Sequence, residues 1–197
     1  MPVIINEDNA IKKLLSGMTV ADAGNSSRPV GVWFGQPDIQ IRQQSYPYVT
    51  VDLIGINEAL ERVHSGLTQL TYVPEGANPD KEYIIQYPIA VDLMYQVTTY
   101  ARQPRHDRQI MAQLFKPSRL PFRFGMIAIP EDGTVRRLDM LGFSKRDTTE
   151  QDKRLFCNVY TISISSEFIR DELNELYKVL YPPLITFSSQ DSIFTEN

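Results

Sequence analysis

The sequence YPIAVDLMYQVTTYARQPRHDRQIMAQLF, at residues 87–115, carries the most regular pattern in this chain and decides its fold. Apolar and polar residues alternate from 87 to 101, which is the period-two pattern of a half-buried antiparallel strand. We therefore predict a long strand with one face turned toward a hydrophobic core. The residues that share this face are Ile89, Val91, Leu93, Tyr95 and Val97.

A basic turn and a short helix follow this strand directly. The helix is predicted at residues 105–116, between Pro104 and Pro117. Proline is tolerated in the first turn of a helix but cannot continue one, so the two prolines bracket it. The residues that form its apolar stripe are Ile110, Met111, Leu114 and Phe115.

Three other segments have the composition of strands. Residues 46–56 are rich in β-branched and aromatic residues, and residues 155–165 alternate again. Residues 124–143 contain two apolar runs separated by Asp132-Gly133, which is a strong signal for a β-hairpin. These segments predict a sheet that is largely antiparallel.

Two further helices are predicted near the ends of the chain. The first covers residues 7–16, with Asn6 as its N-cap and two acidic residues in its first turn. The second covers residues 167–180, where apolar residues recur at helical spacing. Ser166 is the expected cap of the second helix, and the Pro-Pro pair that follows it is the expected stop.

This order of elements predicts an α+β domain. We expect an antiparallel or mixed sheet packed against helices on one face, with a projecting hairpin and an extended C-terminal tail. A single domain would cover residues 1–183, and residues 1–36 would form its N-terminal helix and a turn-rich lead-in. The tail at 184–197 has a strand-like composition, so it either frays or adds a strand to a neighbouring subunit.

The overall composition excludes several classes of protein. Of the 197 residues, 42% are hydrophobic and 22% are charged, and the net charge is −4. This charge gives no general attraction to nucleic acid or to anionic membranes. No apolar run reaches the roughly 20 residues that span a bilayer, and the N-terminus lacks a secretion signal, so we expect synthesis in the cytoplasm.

Few residues are candidates for chemistry. The single Cys157 excludes an intrachain disulfide and a cysteine-rich zinc site, and it fits a small core residue better than a catalytic thiol. No Walker loop, G-x-G-x-x-G motif or G-x-S-x-G elbow occurs. We therefore expect no catalytic residue, no metal ligand and no cofactor.

Two pairs of residues represent the alternative, a small metal-dependent hydrolase. His106-Asp107 is a His-Asp pair, but adjacent side chains point in different directions, so we interpret it as a solvated first turn of the helix. Asp52 and Asp92 lie in predicted strands and would form a carboxylate pair if those strands were neighbours. We favour two aspartates on the wetter face of the sheet.

The distribution of charge suggests contacts between copies of the chain. Residues 101–123 contain six basic residues and one aspartate, whereas residues 166–197 contain two basic and six acidic residues. Complementary charge of this kind can set the register of a head-to-tail ring, although two ordinary solvated faces fit equally well. A third possibility is that the basic segment lies near passing DNA.

Three stretches resemble a family of proteins from the neck of tailed bacteriophages, the tail-terminator or tail-completion proteins. They are QSYPYVTVDLIGI, YPIAVDLMYQVTTYARQPRHDRQIMAQLF and the two-part segment RRLDMLGF…DKRLFCNVYTISI. The resemblance extends over residues 40–180 and rests on the order of elements and on these local strings. It implies an antiparallel sheet flanked by helices in a structural, non-enzymatic protein.

The resemblance also implies an assembly. Members of the family form homohexameric rings that cap the capsid-proximal end of the tail tube, and in contractile tails they also hold the last sheath ring. DNA passes through the lumen without sequence-specific binding, and neck or connector proteins bind the ring. We accordingly expect a virion protein of the tail or neck, with a head–tail stopper or a baseplate adaptor as the alternatives.

Candidate interface residues follow from the basic segment, the hairpin and the apolar tail. We expect charge reversal at Arg105 and Arg108, or deletion of residues 184–197, to impair assembly more than folding. The full set is Arg102, Arg105, Arg108, Asp132, Gly133, Arg136, Arg137, Leu184, Ile185, Phe187, Ile193 and Phe194.

Overall fold

The computed structural model describes residues 3–22, 24, 26–35, 46–63, 67–69, 81–86, 88–150, 152–168 and 173–177. The chain divides into two compact units. Residues 1–64 and 88–169 form the first unit, and residues 65–87 and 170–197 form the second. The predicted end of the domain at residue 183 and the tail at 184–197 lie outside the described residues.

The described elements are mostly strands. In chain order they are α1 (Val3–Leu15), β1 (Thr19–Ala21), β2 (Ser27–Pro29), β3 (Gly31–Phe34), β4 (Tyr48–Glu58), a 3-10 helix (Leu60–Arg62), β5 (Leu67–Gln69), β6 (Lys81–Gln86), β7 (Ile89–Ala101), α2 (Pro104–Leu114), β8 (Gly125–Ile129), β9 (Thr134–Lys145), β10 (Thr148–Glu150), β11 (Lys153–Phe168) and β12 (Leu173–Tyr177).

The first unit is built on a seven-stranded sheet with the order β3-β4-β7-β11-β9-β8, in which β10 also pairs with β11. The β3–β4 pair is parallel, and the other neighbours are antiparallel. The sheet is therefore mixed, as the sequence predicted. β1 and β2 form a separate two-stranded ribbon in the same unit.

β7 lies in the middle of the sheet, which explains its regular sequence. It pairs with β11 along its whole length, from Ile89 opposite Phe168 to Ala101 opposite Phe156. Its other side pairs with β4. Side chains of β7 that share a face therefore meet neighbours on both sides, and Leu93, Tyr95 and Val97 are fully buried.

Both described α-helices contribute to the main buried cluster. The apolar side chains of Ile11 and Leu15 on α1, and of Ile110 and Leu114 on α2, belong to the same buried cluster as the β7 residues. The predicted strand, turn and helix at 87–115 are thus confirmed as β7 and α2. The hairpin predicted at 124–143 is confirmed as β8 and β9.

Two β-bulges interrupt the sheet. In β4 the register with β7 shifts between Leu53 and Gly55, which leaves Ile54 without an opposite residue. In β9 the register with β11 shifts between Met140 and Gly142, which leaves Leu141 unpaired in the same way. Bulges bend a strand and increase its twist, so the sheet is curled, and both extra residues are exposed apolar side chains.

Helix α1 begins earlier than predicted and is bound to the sheet by polar contacts. It starts at Val3, so Asn6 is inside the helix and is not its N-cap. Asn6 instead donates a hydrogen bond to Asp132 in the β8–β9 turn. The Tyr95 hydroxyl donates to Asp8 at 2.7 Å, and the Ser166 hydroxyl donates to Glu7.

We expect the Tyr95–Asp8 contact to make the protein sensitive to alkali. Burial, together with the hydrogen bond to Asp8, raises the pKa of Tyr95. An unfolded tyrosine ionises near pH 10, so above about pH 10 the unfolded state releases a proton that the folded state keeps, and stability falls as the pH rises. Denaturant titrations between about pH 9 and 11 should show a shallower fall for Tyr95→Phe than for the wild type. Parallel curves would contradict this assignment.

The predicted C-terminal helix at 167–180 is wrong in the described residues. β11 continues to Phe168, and Ser166 is a buried strand residue opposite Val91, not a helix cap. Residues 173–177 form β12, which pairs with β6 in the three-stranded sheet of the second unit. Pairing between distant segments has overridden a local pattern that fits a helix.

Candidate functional site

His106 and Asp107 are not the solvated turn that the sequence predicted. Only 3% of His106 and 2% of Asp107 is exposed. His106 Nε2 lies 2.7 Å from Asp22 Oδ1, next to the β1–β2 ribbon. Asp107 Oδ1 accepts a hydrogen bond from Asn158 Nδ2 at 2.5 Å. The interpretation was wrong because both partners are distant in sequence.

The surroundings of this pair are polar side chains of the sheet. Lys145 Nζ lies 3.4 Å from Asp107 Oδ2, and Asn158 also donates to Thr99. The two adjacent side chains turn to different partners, as their spacing predicted. Within the described residues, no group of three or more His, Cys, Asp or Glu side chains is placed to hold a metal ion.

The two strand aspartates do not form a carboxylate pair either. Asp52 of β4 is opposite Gln96 of β7, whereas Asp92 of β7 is opposite Asn57 of β4. The two aspartates are therefore offset by four residues along β7. At about 3.3 Å per strand residue, this offset keeps the carboxylates apart. Asp92 forms an ion pair with Arg62 at 2.6 Å.

Cys157 is a buried residue of β11, as predicted. Burial, followed by the nearby Asp147 carboxylate, raises the pKa of its thiol. The thiolate is the nucleophilic form, so this setting makes the thiol unreactive near neutral pH. Its main-chain N–H donates to Asp147.

Two of the predicted interface arginines are half-buried and have partners within the chain. Arg102 donates to the Glu150 carboxylate at 2.7 Å and to the carbonyl oxygens of Glu150 and Lys153. It also lies over the ring of Tyr46. Arg136 lies 3.5 Å from the Glu167 carboxylate. These arginines connect strands of the sheet, and an additional role at an interface stays a prediction.

The other predicted interface residues are more accessible. Arg105 and Arg108 are exposed in the first half of α2. Asp132 and Gly133 form the exposed β8–β9 turn, where Gly133 has a φ of 62°. Arg137 is exposed and pairs with Asp139. The five apolar residues of the tail, Leu184, Ile185, Phe187, Ile193 and Phe194, lie outside the described residues.

A surface that the sequence did not predict lies along β8 and β9, at one side of the seven-stranded sheet. Six large apolar side chains are exposed here, and 62% of Phe122, 85% of Phe124 and 75% of Met126 is accessible. Phe122 and Phe143 lie on the face of the sheet that carries Phe115 and Tyr160, whereas Met126, Val135 and Leu141 lie on the other face. Single exposed apolar residues are ordinary, but apolar side chains on both faces of an unpaired strand edge indicate an interaction site. We name this surface the β8 edge; its members are Phe122, Phe124, Met126, Val135, Leu141 and Phe143.

Aromatic contacts with the core support part of the β8 edge. Phe115 at the end of α2 stacks on Phe122 with the ring centroids 5.4 Å apart. It also makes edge contacts with Phe143 and the buried Tyr160. Aromatic pairs in these geometries are favourable beyond the area that they bury. The exposed rings of Phe122 and Phe143 are thus held in place.

Phe124 has a strained backbone as well as an exposed ring. Its φ is 59°, in the left-handed region that non-glycine residues avoid. For a bulky residue this conformation costs about 1–2 kcal/mol. Strain of this kind persists where the surroundings impose it, and it is frequent at functional positions. The chain therefore holds a phenylalanine in solvent at a cost in stability.

A second exposed apolar surface lies at the opposite side of the same sheet. β3 pairs only with residues 48–51 of β4, and no other described strand covers the rest of β4 on that side. Side chains from both strands are exposed there, including the bulged Ile54 at 53% and Leu60 at 76%. We name this surface the β4 edge; its members are Trp33, Phe34, Leu53, Ile54, Ile56 and Leu60.

Comparisons with known proteins give a likeness in structure alone. No protein-family model matches the chain, and no curated protein matches it. The chain is similar to the PVC sheath/tube terminator of an extracellular contractile injection system, solved in its extended state by cryo-EM, with a TM-score of 0.49 and 13% identity. The match covers 88% of this chain, which spans 59% of the length of that protein.

None of the helices in the described part of the chain has the length and apolar character needed to cross a membrane.

Proposed function

We propose that this protein is a structural subunit of the tail-terminator type, which acts by assembly and not by catalysis. It would cap the capsid-proximal end of a bacteriophage tail tube. The observation that carries the proposal is the pair of exposed apolar surfaces, the β8 edge and the β4 edge, at the two sides of one sheet. Two such surfaces are unfavourable in a protein that stays monomeric, because each promotes association.

The sequence resemblance supports the same function. The segments that carry it include β4, β7 with the helix α2 after it, and β9 with β11. The four strands are adjacent in the sheet, in the order β4-β7-β11-β9. The residues considered for a hydrolase site have structural partners. His106 lies against Asp22, Asp107 accepts a hydrogen bond from Asn158, and Asp92 forms an ion pair with Arg62. These contacts favour a scaffold over an active site.

The finer features of the proposal come from the resemblance. The subunit would form a homohexameric ring in the neck of the virion, bind the tail-tube protein on one side and connector proteins on the other, and surround the DNA without reading its sequence. In a contractile tail it would also hold the last sheath ring. A cap stops a polymer when it offers the tube one complementary face and no second one.

The test is electron microscopy of the purified protein with its tail-tube protein. We expect caps at one end of the tubes, and tubes that stop growing once capped. Tubes that elongate normally, with the protein free in solution, would contradict the proposal.

A matched pair of variants tests whether the β8 edge is needed for capping. Phe124→Gly should raise the free energy of unfolding by about 0.5–1 kcal/mol, because glycine accepts the left-handed backbone more easily. The same variant should reduce capping by about tenfold or more, because an exposed aromatic anchor is lost. Denaturant titration and counts of capped tube ends measure the two effects.

The control is Asp152→Gly. Asp152 is the other described non-glycine residue with a positive φ, 56°, and it is exposed in the turn between β10 and β11, which are not end strands of the sheet. The Asp152→Gly variant should leave capping unchanged. A more stable Phe124→Gly protein that caps as well as the wild type would remove the β8 edge from the interface.

A further inference from the structure

We infer that the two edges bind each other in neighbouring copies: the β8 edge of one subunit docks on the β4 edge of the next. This contact deepens the proposed function and rests on it, since it specifies how the subunits of the ring join. The partner of each edge is therefore a second copy of this chain, in a head-to-tail arrangement.

Opposite charge on the two edges is the main argument for this pairing. Residues 48–61, which include most of the β4 edge, contain three acidic residues, Asp52, Glu58 and Glu61, and no basic residue. Residues 115–130, which include β8 and the loop before it, contain three basic residues, Lys116, Arg119 and Arg123, and no acidic residue. Complementary charges around apolar surfaces direct partners and set the register of an interface.

The charges that matter most for this contact are accessible. Glu58 and Glu61 are exposed beside the β4 edge, and Lys116 and Arg123 are exposed beside the β8 edge. None of these four has an ion-pair partner among the described residues. Arg119 differs, because it is half-buried and donates to the carbonyl oxygens of Leu14 and Ser16.

The backbone of both edges suits the same contact. β8 pairs with β9 and with no other described strand, and β4 beyond Val51 has no described neighbour on its outer side. Unpaired strand edges are ready to add another strand, and natural proteins protect them with charge or proline when they must remain free. Here the accessible side chains are mainly apolar, which indicates edges that become covered.

Charge also argues against a symmetric dimer. Two β8 edges would bring Lys116 and Arg123 of one copy against the same residues of the other, and two β4 edges would oppose their glutamates. Like charges placed together across an interface are strongly unfavourable. Unlike edges on one subunit give a heterologous contact, which continues from copy to copy and forms a ring when the rotation between copies closes.

A charge-swap experiment tests the pairing. One variant carries Glu58→Lys and Glu61→Lys, and the other carries Lys116→Glu and Arg123→Glu. Each alone opposes like charges at every contact, so we expect its self-association to weaken at least about tenfold. A mixture of the two variants restores opposite charges at each contact and should assemble like the wild type. Analytical ultracentrifugation measures assembly, and circular dichroism confirms folding.

The control variant carries Arg146→Glu and Lys153→Glu, two exposed basic residues next to β10 that lie on neither edge. It changes the net charge as much as the Lys116 and Arg123 variant does, and it should assemble normally. Should one swapped variant fail to fold, the single changes Glu61→Lys and Arg123→Glu, alone and mixed, serve instead.

The outcomes separate this inference from the proposed function. Loss in each variant and recovery in the mixture support the contact. The contact is overturned if assembly is unchanged in both variants or does not recover in the mixture. It is also overturned if the wild type self-associates with a dissociation constant above about 1 mM. The capping of tubes in electron microscopy would still support the proposed function in those cases, through a ring joined by other surfaces.

Discussion

Replacing Asn158 with leucine is expected to lower the free energy of unfolding by about 1.5–3 kcal/mol. Asn158 is fully buried, and its side-chain amide donates to the buried carboxylate of Asp107 at 2.5 Å. Leucine fills a similar volume but cannot donate, so the carboxylate would keep only Lys145, at 3.4 Å, as a described side-chain partner. A hydrogen bond to a charged group contributes more than one between neutral groups, and a buried acceptor that loses its donor still bears the cost of its desolvation.

Urea or guanidinium titration of the variant measures this loss. The control is Ser163→Ala, because Ser163 is half-buried on the same strand. It should change the free energy of unfolding by less than about 1 kcal/mol. If Asn158→Leu were as stable as this control, Asp107 would not depend on Asn158, and the interpretation of His106-Asp107 as a structural pair would fail.

The predicted elements that were confirmed are those with strong local patterns. Alternation identified β7 and β11, and a β-branched and aromatic composition identified β4. The Asp-Gly pair identified the β8–β9 turn, and two prolines located α2. Each signal depends on residues a few positions apart, because a strand has a side-chain period of two and a tight turn needs particular residue types. These elements would be recognisable without any knowledge of the fold.

The errors arose where distant residues decide the structure. His106 appeared solvated because its local sequence, RHDR, is charged, yet Asp22 and Asn158 reach the pair from other elements. At 167–180 the apolar residues fit a helix, but β11 continues along β7 to Phe168 and β12 pairs with β6. Local pattern cannot rank such alternatives, because the energy of strand pairing comes from the partner.

The candidate site was missed for a related reason. Phe124, Met126 and Ile54 are ordinary strand or loop residues in the sequence, and nothing local shows that their strands lie at the sides of the sheet. The order β3-β4-β7-β11-β9-β8 places both surfaces there. One sequence signal was available: the separation of acidic residues at 48–61 from basic residues at 115–130. The charge pattern considered at first, basic residues at 101–123 against acidic residues at 166–197, includes the basic residues of this signal but not its acidic residues.

Phe115 connects the stability of the core with the β8 edge, and its replacement should affect both. Its ring contacts Phe122, Phe143 and Tyr160. We expect Phe115→Ala to lower the free energy of unfolding by about 2–4 kcal/mol, because a partly buried aromatic side chain and its ring contacts are lost. The rings of Phe122 and Phe143 would then lack their support, so subunit association should weaken under conditions in which the variant is still folded.

The comparison with Phe122→Ala separates the two effects. Phe122 is 62% exposed, so its removal should cost less than about 1 kcal/mol of stability while it weakens association. Denaturant titration and sedimentation of both variants provide the two measurements. If Phe115→Ala were destabilised but associated normally, the β8 edge would not need its aromatic support. If both variants lost stability equally, Phe122 would be a core residue, and the β8 edge would be smaller than its exposed side chains indicate.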